Sequence, residues 1–269
     1  MVLQFTKMNG AGNDFILADD RSQSIRLTRE QITRLCDRHR GVGADGLFFL
    51  VPCSSGRADW AWRFYNSDGS EAEMCGNGAR CFARFVQRLT GVKKGISFET
   101  GAGVIGAAFE GELVTVDLTR PKDLRLGQKV DLTSGTEIVH FVNTGVPHVV
   151  VFVADADRAQ VSSLGREIRN HRLFAPAGTN VNFVQLAGSN CIRVRTYERG
   201  VEGETLACGT GVTAAALITA RVNDFAPPIS VQVQGGDTLQ VSFKGENGGF
   251  RDVRLTGPAE FVFQGTVEI

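Results

Sequence analysis

Two short stretches carry the residue types best suited to moving protons: "CGNGARC" at 75–81 and "CGTG" at 208–211. In each, a cysteine stands directly before Gly-x-Gly and a run with helical character. A helix start leaves backbone N–H groups unpaired, and the aligned peptide dipoles add partial positive charge there. A thiol in that position ionises more readily than a free one. Glycines remove side chains and let a ligand approach the amides closely. Cys75 with Gly76, Asn77 and Gly78 therefore reads as a reactive sulfur beside an anion-binding turn. Cys208 with Gly209, Thr210 and Gly211 reads as a second one. A cysteine in an apolar segment is otherwise a small buried hydrophobe, and that is the expectation for Cys36, Cys53, Cys81 and Cys191.

Two acid/base groups on opposite faces of one carbon suit inversion of a stereocentre. One sulfur, as thiolate, removes the proton and the other, as thiol, returns one from the opposite side. The α-proton of an amino acid is very weakly acidic, so the developing negative charge must be stabilised. Two helix N-termini aimed at the substrate carboxylate would do this without a metal or pyridoxal phosphate. No cofactor is expected, because no lysine sits in a recognisable cofactor motif. No metal site is expected either, since Cys-x-x-Cys and His-Glu-x-x-His are both absent.

The elements that must position these cysteines are short. Apolar runs bounded by Gly, Asn, Asp or Pro read as strands: 15–20, 46–52, 96–100, 113–118, 148–153, 182–186 and 191–197. Helices are expected at roughly 28–39, 75–89, 157–171 and 208–222. The first offers Ile32, Leu35 and Cys36 on one face and should lie on a sheet. The two Cys-headed helices are more apolar around their circumference and should be deeply buried.

The halves repeat. "WRFYNSDG" (62–69) lies beside "VRTYERGV" (194–201), with Tyr65 over Tyr197 and Asn66 over Glu198; "GADGLFFL" (43–50) lies beside "GTNVNFVQL" (178–186), with Asp45 over Asn180. This is duplication at domain scale. It predicts an α+β chain of two similar domains, 1–118 and 119–263, joined near the polar "DLTRPKD" (117–123).

Composition narrows the partners. The chain has 269 residues, of which 42% are hydrophobic, enough for two cores. Its 29 basic and 29 acidic residues cancel, so neither nucleic acid nor an anionic membrane is an expected partner. No apolar run approaches the roughly 20 residues that span a bilayer. The segment "MVLQFTKMNG" lacks a basic region followed by an apolar run, and six cysteines in so long a chain do not read as a disulfide framework. A reducing cytoplasm is the expected location. "GVGADG" (41–46) fits Gly-x-Gly-x-x-Gly literally, but a helix precedes it and a strand follows, the reverse of a dinucleotide site.

With those residues in view, four segments resemble the diaminopimelate epimerase family: "MNGAGNDF" (8–15), "RHRGVGADGL" (38–47), "NSDGSEAEMCGNGARC" (66–81) and "YERGVEGETLACGTGVTAA" (197–215). The match in order and spacing runs over essentially the whole chain. The resemblance implies cofactor-independent interconversion of LL- and meso-diaminopimelate in lysine and cell-wall precursor synthesis. It implies two similar domains, each a mostly antiparallel sheet wrapped around a central helix, with the site in the cleft, a C-terminal strand (264–269) returning to the first domain, and a homodimer.

Carried over by motif, Cys75 and Cys208 would be the acid/base pair. Gly76, Asn77, Gly209 and Thr210 would hold the reacting carboxylate, and Asn13, Asn66 and Asn180 the polar ends of the substrate. Arg199 would clamp the distal carboxylate in a bidentate fashion. Glu198 and His148 would sit near the cysteines and tune their protonation, with Glu198 also against the substrate. Val146 departs from the family: many members carry Asn in Gly-Asn-Pro-His, where this chain has "GVPH" (145–148). Two other readings stand beside this one. The first is a racemase of another amino acid, such as histidine, on the same fold; the second is a non-catalytic amino-acid-binding or thiol redox-sensing protein.

Overall fold

The computed structural model describes residues 1–269. The chain forms two compact units, Met1–Asp117 together with Gly257–Ile269, and Leu118–Thr256.

In the first unit, β1 (Val2–Gly10) runs antiparallel to β2 (Asn13–Asp19). Helix α1 (Arg29–Cys36) lies in the crossover to β3 (Gly46–Val51), which is parallel to β2 with Phe15 opposite Gly46. Strand β4 (Trp60–Asn66) pairs antiparallel with β3. Helix α2 (Gly76–Thr90) then crosses to β5 (Gly95–Thr100), parallel to β4. Strands β6 (Gly103–Glu110) and β7 (Leu113–Asp117) finish in an antiparallel meander.

The second unit repeats this order. Strands β8 (Lys122–Leu132), β9 (Gly135–Asn143) and β10 (Pro147–Phe152) are successive antiparallel neighbours. Helix α3 (Val161–Arg169) crosses to β11 (Asn180–Gly188), parallel to β10 with His148 opposite Asn180. Strand β12 (Cys191–Glu198) is antiparallel to β11 and carries the short β13 (Gly203–Thr205) on its end. Helix α4 (Gly209–Asn223) leads to β14 (Ile229–Gln232), parallel to β12, followed by β15 (Thr238–Glu246) and β16 (Gly249–Pro258). Strand β17 (Glu260–Glu268) returns to pair along the whole of β1, from Asn9 opposite Glu260 to Val2 opposite Glu268. The returning segment is thus longer than the expected 264–269. It gives the first unit the counterpart of β8.

Register refines the repeat. Leu47 is opposite Tyr65, and Val181 is opposite Tyr197. Tyr65 and Tyr197 therefore correspond, as do Asn66 and Glu198, but Gly46 rather than Asp45 corresponds to Asn180. The one-residue difference reverses which face of the strand is compared.

The helices end where local chemistry stops them. A capping box starts α1: Gln31 N donates to Thr28 Oγ1 at 3.3 Å, and Thr28 N donates to Gln31 Oε1 at 2.8 Å. It stops at Cys36, short of the expected 39, because the Asp37 carboxylate accepts from the His39 and Arg40 amides and holds a turn. Helix α3 begins at Val161 rather than 157, and a 3₁₀ turn at Arg172–Phe174 takes the chain past Arg169. Helix α4 is buried from Gly209 to Thr219 except at Thr210. Its small residues let strands β9, β10, β11, β12, β14 and β15 pack around it. Helix α2 is buried over Gly76–Ala83 but exposes Arg88, Leu89 and Thr90, so only its first two turns match the expectation of all-round burial.

In the first unit, Phe15, Phe48, Trp62, Phe64, Phe82 and Phe98 form an aromatic cluster reaching α2 through Phe82; Phe48 stacks on Phe64 with centroids 4.1 Å apart. On the other side of β3, Leu47 and Phe49 pack with Ile32, Leu35 and Cys36 of α1. Burial on both faces explains why β3 reads as a continuous apolar run.

Candidate active site

Cys75 is the N-cap of α2. Its extended backbone (φ −146°, ψ 117°) turns the chain into the helix, and Ala79 N donates to its carbonyl at 2.8 Å. The Gly78 amide donates to Cys75 Sγ at 3.4 Å. The sulfur therefore lies on the positive end of the helix. Asn77 is buried, and its Nδ2 donates to Asn13 Oδ1 at 2.6 Å; Asn13 Nδ2 donates to Asp45 Oδ2 at 2.8 Å. Asp45 in turn accepts from Arg38 at 2.9 Å, and Arg38 is bidentate on Asp14 at 2.8 and 2.6 Å. Lys7 Nζ lies 2.8 Å from Asp14 and also donates to the Gly43 carbonyl. Burial raises the Asp14 carboxyl, yet the hydrogen bonds and charges of Arg38 and Lys7 outweigh it and bring it down to about 2. Asn66 sits apart from this chain of contacts. It is exposed at the end of β4, with Nδ2 donating to Ser70 Oγ at 3.1 Å.

Arg80, one turn into α2, has 0% exposure. Its guanidinium donates to the carbonyls of Gly10 (3.2 Å), Gly76 (3.4 Å) and Pro258 (3.2 Å). It ties the helix start to β1 and to the returning segment.

Cys208 is the N-cap of α4 (φ −121°, ψ 108°), with Val212 N donating to its carbonyl at 2.8 Å. Its Sγ lies 3.5 Å from Thr210 Oγ1, which lies 2.9 Å from His148 Nε2. His148 is fully buried on β10, and its Nδ1 lies 3.2 Å from Asn182 Nδ2. Burial, with the Arg199 charge adding to it, pulls His148 down to about 3, so the imidazole is neutral at neutral pH. Thr144 Oγ1 donates to the Thr210 carbonyl at 2.9 Å and steadies the helix start. Asn180 Nδ2 donates to Pro147 O at 2.9 Å, and its Oδ1 accepts from Arg199 N at 2.8 Å. The Arg199 guanidinium donates to Ala177 O at 3.1 Å, and Glu198 accepts from Thr205 Oγ1 at 2.9 Å.

The structure thus joins Cys75, Gly76, Asn77 and Asn13 at one helix start, and Cys208, Gly209, Thr210 and His148 at the other. Asn180, Glu198 and Arg199 cluster at the adjoining ends of β11 and β12.

Two readings of glycines and cysteines are corrected. A Cβ added at Gly78 would lie 2.4 Å from the Phe48 ring, and one at Gly211 would lie 2.4 Å from Asn182 Oδ1. At these two glycines the missing side chain makes room for the protein's own groups, not for a ligand. Cys53 is not a buried hydrophobe: it is half-buried and its thiol donates to Glu99 Oε2 at 3.2 Å, while Cys191 is also only half-buried. Cys36 and Cys81 are buried as expected, and burial pushes both thiols up to about 12.

Sequence reasoning passed over Asn182, Thr144, Arg80 and the Lys7–Asp14–Arg38–Asp45 network. A signal existed for Asn182, since in "NVNF" it follows Asn180 by two residues and shares its strand face. Arg80 carried no such signal, since Arg84 and Arg88 follow it at helical spacing in the same element.

Comparison with known proteins agrees with the geometry. The family model described as diaminopimelate epimerase matches residues 5–123 and 140–262. A diaminopimelate epimerase of Aquifex aeolicus is 43% identical, covering 98% of this chain and 97% of its own; one of Aromatoleum aromaticum is 42% identical over 100% of both. Among solved structures, a PhzF-family phenazine biosynthesis protein of Bacillus anthracis is 17% identical with a TM-score of 0.74 over 100% of both chains. A hydroxyproline epimerase of Agrobacterium vitis is 16% identical with a TM-score of 0.73 over 99% of this chain and 92% of its own. These two share the fold of two similar α+β halves. With the family model matched in both halves and relatives above 40% identity over nearly the full length, the chain belongs to the diaminopimelate epimerase family and is an isomerase, an amino-acid epimerase.

Proposed function

We propose that the chain interconverts LL- and meso-diaminopimelate, with Cys75 and Cys208 as an acid/base pair serving opposite faces of one α-carbon. The observation that carries this reading is the equivalence of the two sulfurs. Each is the N-cap of the helix that joins two parallel strands, β4 and β5 in one unit and β12 and β14 in the other. In each turnover one thiolate takes the α-proton and the other thiol delivers one; the reverse direction exchanges the roles. The amides of Gly76, Asn77, Gly209 and Thr210 receive the reacting carboxylate at two helix starts, where charge developing on it is stabilised. Asn13, Asn66, Asn180 and Glu198 bind polar groups of the substrate, and Arg199 the distal carboxylate. His148 acts on Cys208 through Thr210. The reaction belongs to lysine and peptidoglycan-precursor synthesis, in the cytoplasm, by a homodimer of two-domain chains.

The test is α-deuterium incorporation by reduced protein incubated with LL-diaminopimelate in D₂O, followed by mass spectrometry against a panel of amino acids. Incorporation confined to diaminopimelate is expected, and Cys75→Ala and Cys208→Ala should each abolish epimerisation. Exchange of histidine instead would move the assignment to a racemase; no exchange of any amino acid would remove it.

A further inference from the structure

The side chains around His148 decide where its proton sits. Asn182 is fully buried on β11. Its Nδ2 lies 2.9 Å from the Val149 carbonyl, which only accepts, and its Oδ1 lies 3.0 Å from Thr196 Oγ1. These two contacts fix which end of the amide is NH₂. One N–H goes to Val149 O, and the other points at His148 Nδ1, 3.2 Å away. Nδ1 must then accept, so the proton of the neutral ring is on Nε2. That N–H faces Thr210 Oγ1 at 2.9 Å and donates to it. The threonine hydroxyl, already accepting on that side, has its own proton left for Cys208 Sγ at 3.5 Å. Gly211 is part of the same device: any side chain there would meet Asn182 Oδ1 at 2.4 Å and His148 Cε1 at 3.3 Å.

We propose that Asn182 is a positioning residue that holds His148 as its Nε2–H tautomer, so that the Thr210 hydroxyl donates to Cys208 and favours its thiolate form. This rests on the reading of Cys208 as an acid/base group. The neutral ring described above acts here as an oriented donor and not as a base. A hydrogen bond strengthens when its acceptor becomes charged, so the directed hydroxyl stabilises the thiolate over the thiol. Cys75 receives a backbone N–H from Gly78 in the corresponding place. The two sulfurs are therefore served by different donors, one part of the backbone and one switchable by a tautomer.

The first measurement needs no variant: ¹⁵N NMR of the histidine rings in the whole protein, with His148 assigned by its loss in His148→Gln. Protonated Nε2 and unprotonated Nδ1 are expected; a proton on Nδ1 overturns the proposal. The second compares iodoacetamide modification of Cys208 at pH 7 in the parent, Asn182→Leu, Thr210→Val and the double variant. Each single change should slow modification about tenfold, the worth of one hydrogen bond to a charged group. The double variant should be no slower than Thr210→Val, because both act through one hydroxyl. Additive slowing, or unchanged modification in Asn182→Leu, overturns it. Thr196→Val should leave the tautomer as it is, since Val149 still orients the amide; a switch to Nδ1–H there also overturns it. These readouts do not require turnover, so failure of diaminopimelate exchange with the tautomer as expected would sink the functional reading alone.

Discussion

Substituting alanine for Gly78 sets helix propensity against packing. In a helix interior the change is favourable by up to about 1 kcal/mol. The new Cβ, however, would lie 2.4 Å from Phe48 Cζ, 2.8 Å from Phe48 Cε2 and 3.4 Å from the Cys75 Cβ. Phe48 has nowhere to go. It is 0% exposed, stacked 4.1 Å from Phe64, and closed in by Trp62 at 5.0 Å and Phe15 at 5.3 Å. Overpacking of a filled core costs about 1–3 kcal/mol. The net expectation for Gly78→Ala is a loss of about 1–2 kcal/mol, or about 2–4 °C in Tm for a chain of this size. The same shift moves the helix start away from Cys75 Sγ, so kcat should fall as well. Urea unfolding and calorimetry measure the stability change, with Gly245→Ala as control. Nothing lies within 4 Å of a Cβ at Gly245, so that control should stay within about 0.5 kcal/mol of the parent. A Gly78→Ala protein as stable as the parent, or more so, would refute the reasoning that the aromatic cluster occupies this space.

Two further outcomes follow from the charge and burial around the site. The Asp14 carboxyl is held at about 2 against an ordinary 3.8, so its contribution to stability is complete above 3.8 and disappears as pH falls toward 2. Asp14→Asn should be less stable than the parent at pH 6, with the gap closing in unfolding curves between pH 4 and 2; a constant gap refutes the assignment. Because burial pushes the Cys36 and Cys81 thiols to about 12, native protein at pH 8 should be alkylated at Cys75 well before either, by peptide mapping. Labelling of Cys81 as fast as Cys75 would contradict the burial.

Much of the architecture was open to reading because duplication wrote it twice. The strand at 46–52 has an apolar run long enough to identify it, and that at 191–197 shows itself by alternation of apolar and polar residues. Strands such as β8, exposed along most of its length, and β16, interrupted by charged residues, were not read from composition, and β17 was expected only through the resemblance and only over 264–269, its Val262 being 56% exposed and its Phe263 47%. Such strands are defined by their partners more than by their own composition. Helix ends were misplaced where side-chain-to-backbone bonds, as at Asp37, set the stop. In the site, Cys75, Cys208 and the residues of their two motifs were legible because helix starts concentrate charge locally. Asp45, Lys7 and Arg38 were not, because their roles depend on contacts from other strands and loops; the spacing of Asn182 from Asn180 marked its strand face but not its partners.

By itself the sequence determined two Cys-Gly-x-Gly helix starts, the doubled order of strands and helices, and a family resemblance in four motifs. These are local properties: apolar periodicity, glycine at sharp turns, and a thiol placed on unpaired amides. The tertiary structure alone decided what the second glycine of each motif is for, since only the packed core shows Phe48 and Asn182 in the space a side chain would take. It also decided that Arg80 spends its charge on three carbonyls and that His148 is buried between Asn182 and Thr210, where its ring is held neutral. Burial and the direction of a hydrogen bond are set by residues distant in the chain, and no local pattern encodes them.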